Sequence, residues 1–117
     1  MNAAYKKQIH TADSLFELKE YKAAASAYSS AFKKNGNKGL VDDRYHAAIS
    51  YTFSNNIDSA FYNLFRIADK VGWSKYEQLI NDSNLNLLHR DSRWNKLVNK
   101  VRSNKAETDV ENKGNGQ

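Results

Sequence analysis

YKAAASAYSSAF, residues 21–32, sets five alanines and three serines between two tyrosines and a phenylalanine. Tyr21, Ala24, Ala25, Tyr28, Ala31 and Phe32 recur at the spacing of one helical face. Small residues on that face let a second helix approach closely, and rings at even intervals fill the space beside the contact. The stretch therefore reads as a buried helix that crosses its partner at an alanine.

An echo of it lies 36 residues further on, in IDSAFYNLFRIA (57–68). The same offset sets Ala12 on Ala48, Leu15 on Tyr51, Tyr21 on Ile57, Ala24 on Ala60, Tyr28 on Leu64, Ala31 on Ile67 and Phe32 on Ala68. The agreement covers two helices and the turn between them, so an internal repeat is expected. Ile9, Ala12, Leu15 and Phe16 give residues 3–18 a helical stripe, and Tyr45, Ala48, Ile49 and Tyr51 do the same for the third segment. KKNGNKG (33–39) ends the second helix, with Gly36 able to turn left-handed; SNN (54–56) ends the third, with Asn56 as cap of a fourth over about 57–71. Helices joined by two to four residues must pack antiparallel, with Ala12 against Ala24 and Ala48 against Ala60.

Composition agrees with an all-α chain. Among 117 residues there is no proline, no cysteine and only five glycines, which favours uninterrupted helices and removes any disulfide framework or thiolate chemistry. No apolar run approaches the ~18 residues of a membrane span, and MNAAYKKQIH lacks the apolar core of a signal peptide. Residues 1–105 carry 17 basic and 10 acidic side chains, against 1 and 3 in residues 106–117, within a net charge of +5. Basicity favours acidic partners in general and identifies none.

The order of small and large residues (Ala12, Leu15, Tyr21, Ala24, Tyr28, Ala31, then Ala48, Tyr51, Ile57, Ala60, Leu64, Ile67) resembles the tetratricopeptide repeat. Departures are Gly36 and Gly72 for the helix-ending proline, Lys19 and Asn55 for the turn glycine, and Gln8 and Arg44 for the early aromatic. The resemblance covers roughly residues 5–72. It implies antiparallel hairpins stacked as a short right-handed α-solenoid, with repeats at about 5–38 and 41–72.

Such an array needs a cap, expected at about 73–104. Ser74 and Glu77 have capping-box spacing for a short helix, NDSN (81–84) has loop chemistry, and Asp91 can cap a last helix striped by Trp94, Leu97, Val98 and Val101. Asp82, Leu85, Leu88, Asp91, Arg93, Trp94 and Leu97 are similar to a closing segment of some bacterial extracytoplasmic proteins, with Asn84 where a second acid is common. That resemblance implies an exported, periplasmic or cell-surface setting beside an unrelated catalytic domain. Residues 1–105 are expected to form one domain, and AETDVENKGNGQ (106–117), aperiodic and polar, a disordered tail or linker.

The repeat family lines a concave groove with its first helices, which implies a partner-binding groove here of Ile9, Asp13, Phe16, Tyr45, Ile49 and Phe53, edged by Lys6, Glu17, Asp42 and Thr52. Its expected occupant is a protein or peptide segment, or another domain of the same chain; alternatively the segment 73–80 fills it. His10, His46 and His89 stand at no metal-ligand spacing, and no phosphate loop or nucleophile elbow occurs, so no metal, no cofactor and no catalysis are expected. Asp42 and Asp43 read as helix-start charges rather than a catalytic pair. A second reading takes Arg93, Lys96 and Lys100 as a stripe for nucleic acid or another polyanion, with an ordinary solvated face as its alternative.

If the alanines lie at helix crossings, Ala24→Leu and Ala60→Leu should each cost about 1–3 kcal/mol by overpacking. Chemical denaturation checks this, and parent-like midpoints for both would refute the crossing assignment.

Overall fold

Helix content follows from the stripes in the sequence. The computed structural model describes residues 2–115, with side chains through Glu111. Seven helices and no strand occur among them: α1 (Ala3–Glu17), α2 (Tyr21–Lys34), α3 (Val41–Phe53), α4 (Ile57–Lys70), α5 (Tyr76–Asn81), a 3-10 helix (Ser83–Arg90) and α6 (Arg93–Asn115). The protein is therefore all-α. No helix among the described residues is long and apolar enough to cross a membrane. The chain forms two compact units that divide within α4, residues 1–63 and 64–117.

In the first unit α1 and α2 run antiparallel. Asn2 Nδ2 donates to Asn35 Oδ1 at 3.0 Å, the Tyr5 and Phe32 rings lie 6.4 Å apart, and the Tyr28 hydroxyl donates to Asp13 Oδ1 at 2.6 Å. Phe16 meets Tyr21 edge to face at 5.8 Å beside the turn. Ala12, Ala24, Tyr28 and Ala31 are fully buried and share one cluster with Tyr5, Ala27, Phe32 and Ala47. Burying a side chain the size of Phe32 stabilises by roughly 1.5–3 kcal/mol, so this cluster supplies much of the unit's cohesion. Ala48 and Ala60, the expected second crossing pair, are also fully buried.

The 36-residue recurrence extends to the backbone. α2 and α4 are 14 residues each and begin 36 residues apart. Lys19 and Asn55 adopt φ of 61° and 62°, and Gly36 and Gly72 adopt 65° and 67°. Both first turns close alike: Glu20 N–H reaches Leu15 O at 2.9 Å and Asn56 N–H reaches Tyr51 O at 2.8 Å, while Lys19 and Asn55 bond Phe16 O and Thr52 O. This is the Schellman closure, which requires a left-handed residue after the helix. Asn56 also caps α4, accepting from Ser59 N–H at 3.3 Å. Gly39 is needed for a different reason, since a Cβ there would collide with the Phe32 ring.

Arg44, at the start of α3, is 2% exposed. Its guanidinium lies 4.2 Å from the centre of the Phe32 ring, donates to Asn63 Oδ1 at 3.0 Å and to Asn37 O at 2.8 Å. One cation thus links α2, α3, α4 and the intervening loop.

The second unit differs from the sequence expectation in three places. The Ser74–Glu77 capping box is not made; α5 starts after Lys75 with no side-chain cap, because Tyr76 N–H bonds Ser74 O at 2.8 Å in a tight turn. Asp82 does cap, accepting from Asn84 N–H at 3.0 Å, but the residues after it form a 3-10 helix that buries Leu85 and Leu88. The expected coil from residue 106 is helical through Asn115, residues 116–117 lying outside the described part. Lys105 pairs with Asp109 one turn on at 2.9 Å, and Thr108 Oγ1 donates to Asn104 O at 3.0 Å, in a stretch that has no apolar stripe.

Asp91 caps α6 as expected, accepting from Arg93 N–H at 2.9 Å. Leu97 and Val101 are fully buried and Trp94 and Val98 nearly so. Asn104, also buried, donates to both Ala68 O and Trp73 O at 2.9 Å, bracketing the Gly72 break.

A left-handed lysine carries strain that glycine does not. Lys19→Gly should raise stability by about 0.5–1 kcal/mol and Asn55→Gly by less, since asparagine tolerates this conformation. Urea midpoints should rise with unchanged slope.

Candidate functional site

The first helices of the two hairpins, α1 and α3, flank a cleft of about 480 Å³ lined by Tyr5, Lys6, Ile9, His10, Asp13, Leu40 and Asp43. Two of the six sequence-derived groove residues, Ile9 and Asp13, reach it, together with the edge residue Lys6. Phe16 instead packs on His46 at 4.9 Å and on Tyr21, and Phe53, 45% exposed, stacks on Tyr21 at 4.6 Å. Tyr45 and Ile49 are 5% and 4% exposed, and Thr52 is fully buried with its hydroxyl on Ala48 O. The six residues that the resemblance implied for the groove therefore do not line one surface. What α1 and α3 present is a shorter, more polar cleft at their N-terminal halves and an aromatic cluster at the other end.

Two carboxylates line the cleft together with Lys6 and His10, and each carboxylate is held by a tyrosine. Tyr5, 1% exposed, accepts from Leu40 N–H at 3.0 Å and donates to Asp43 Oδ2 at 2.6 Å. Tyr28, fully buried, donates to Asp13 at 2.6 Å. Burial first, and then the carboxylate each one serves, push both phenols well above the ordinary tyrosine value. Asp43 is itself raised above the usual carboxylate range, chiefly by burial, with Asp13 and Asp42 adding to this and Tyr5 and His46 opposing it. Hydrogen bonds of this charge-assisted kind fix where the acids point, and so give the cleft a defined acidic wall beside Ile9 and Leu40. Leu40 is 52% exposed at its mouth.

Tyr5, His10, Leu40 and Asp43 were missing from the groove read off the sequence. Asp43 was legible as a helix-start charge, and it does lie in the first turn of α3. Its second role depends on Tyr5, 38 positions away, which no local pattern connects to it.

The alternative basic stripe divides. Arg93 is bound to Asp91 through Nε at 2.9 Å and Nη2 at 2.8 Å, which leaves a fork-shaped cation already facing an acid. Those bonds to Arg93 hold the Asp91 carboxyl down to about 2. Lys96 is exposed and Lys100 half-buried. His10 lines the cleft, His46 stacks on Phe16, and His89 lies 4.3 Å from the Trp94 ring. Among the described residues no three His, Asp or Glu side chains are grouped for a metal ion. Comparison with protein-family models, curated proteins and solved structures returns no match.

Because the folded phenols hold their protons, the unfolded chain ionises first as pH passes about 10, and stability should fall there. Tyr5→Phe should cost about 1–3 kcal/mol at neutral pH, by leaving Asp43 and Leu40 N–H short of a partner, and Tyr28→Phe about 1 kcal/mol. Each variant should also flatten the alkaline loss in melts taken from neutral to alkaline pH.

Proposed function

We propose that this chain is a non-catalytic, tetratricopeptide-like interaction module whose α1–α3 cleft takes a segment of a partner protein. The observation that carries the reading is the cleft itself: about 480 Å³ of open space against the two first helices, lined by Asp13 and Asp43, by Ile9 and Leu40, and by Lys6 and His10. Support for the repeat assignment comes from the 36-residue recurrence of helix length, left-handed turn residue and turn hydrogen bonds. Two fixed carboxylates beside aliphatic side chains suit a peptide that pairs a lysine or arginine with an aliphatic neighbour. The carboxylates are ordered before any ligand arrives, which lowers the cost of ordering on binding.

Polyanion binding through α6 is the weaker reading, since Arg93 already engages Asp91. Selection of a displayed random peptide library on the protein tests the groove. Enriched sequences should carry a basic residue next to an aliphatic one, and binding should fall at least tenfold in Ile9→Asp and Asp13→Asn. A heparin titration runs beside it. Tight heparin binding that weakens steeply with salt and disappears in Lys96→Ala/Lys100→Ala, with no enriched peptide, would favour the polyanion reading instead.

A further inference from the structure

The α1–α3 cleft holds more ionisable groups than the capture of one cation requires, and they do not all keep their charge in mild acid. With His10 neutral, Lys6 set against Asp13 and Asp43 leaves the lining at a net charge of −1. One proton on His10 cancels that charge, and a second on Asp43 turns it to +1. We propose that the cleft is proton-gated: it holds a lysine or arginine side chain at neutral pH and releases it in mild acid. The gate rests on the reading of this cleft as a site for a basic segment.

The geometry concentrates the effect. Asp13 on α1 and Asp43 on α3 line one cleft from facing helices. Tyr5 takes Oδ2 of Asp43 and Tyr28 takes Oδ1 of Asp13, each at 2.6 Å, so each acid keeps its other oxygen for a ligand. Asp43 is only 9% exposed, and a charge so placed is weakly screened by water.

The neighbours set the direction of the change. Burial is the largest influence on Asp43 and raises it above the usual carboxylate range. Asp13 from α1 and Asp42 on α3 act the same way, against Tyr5 from α1 and His46 on α3. Arg44, next along α3, keeps its charge throughout and is engaged by Asn63 and Asn37. Glu17 on α1 and Tyr28 on α2 complete the set, and both phenols hold their protons far above this range. Histidine is the residue type that gains charge between neutral pH and mild acid, and His10 lines the cleft itself. Acidification thus removes a negative charge and adds a positive one in the same cleft, and both changes disfavour a bound cation. By linkage, a bound cation makes the same groups give up protons more readily.

Amide NMR titration of the whole chain with acetyl-arginyl-leucine amide, at matched ionic strength, at about pH 7.5 and about pH 5, tests the gate. Saturable shifts at Ile9, Asp13 and Asp43 are expected at the higher pH, with affinity about tenfold lower in acid. His10→Gln and Asp43→Asn should each shrink that ratio to about threefold. In carboxyl-carbon spectra, the Asp43 titration should move to lower pH when the dipeptide is present. Equal affinity at the two pH values, or an Asp43 titration that the dipeptide leaves in place, would overturn the gate and spare the cleft reading. Absence of saturable shifts at the higher pH would overturn both. The signals of buried Ala24 and Tyr28 should persist in acid, and their loss would replace gating by unfolding. Should Asp43→Asn fail to fold, His10→Gln and the Asp43 carboxyl titration decide the matter.

Discussion

Close approach of α1 and α2 is the constraint from which the first unit follows. Ala12 and Ala24 are both at zero exposure, and a side chain of any size at either would hold the helix axes apart. With the axes close, the larger residues on the same faces have only the flanks to occupy, and Tyr5, Tyr28 and Phe32 fill them. With the connection short, the chain must reverse within a few residues, and that reversal needs a left-handed step at Lys19. The strain at that lysine is thus a consequence of packing several residues away.

Nearness also decides the electrostatics. A tyrosine ring that fills a gap between helices carries its hydroxyl to the far edge of the gap, where a polar group must meet it. Tyr5 and Tyr28 each solve this with an aspartate, and those two aspartates are the acidic wall of the cleft. The core and the candidate site are therefore built from the same two side chains, read from opposite ends.

Helix positions were largely legible in the residues. The stripe at 21–32 and its echo at 57–68 place α2 and α4, and Gly36, Asn56 and Asp91 mark ends that the structure confirms. What escaped were features with non-local causes. Tyr45 and Ile49 are groove residues by resemblance to the repeat family, yet both are buried. Arg44 looks like a departure from an aromatic position, yet it occupies that interior position itself, with its charge spread over a ring and two polar partners. The helical continuation past Lys105 lacks the hydrophobic periodicity by which helices are read from a sequence, and an exposed Lys105–Asp109 pair one turn apart lies on it.

Asn104 places one side-chain amide across two carbonyls, those of Ala68 and Trp73, on either side of the Gly72 break. If α6 withdraws, both hydrogen bonds are lost together and the two carbonyls turn to water. The end of α4, the turn at Gly72 and the middle of α6 thus share a single fastening. In hydrogen exchange they should behave as one opening unit, with a common protection rather than a gradient along the chain.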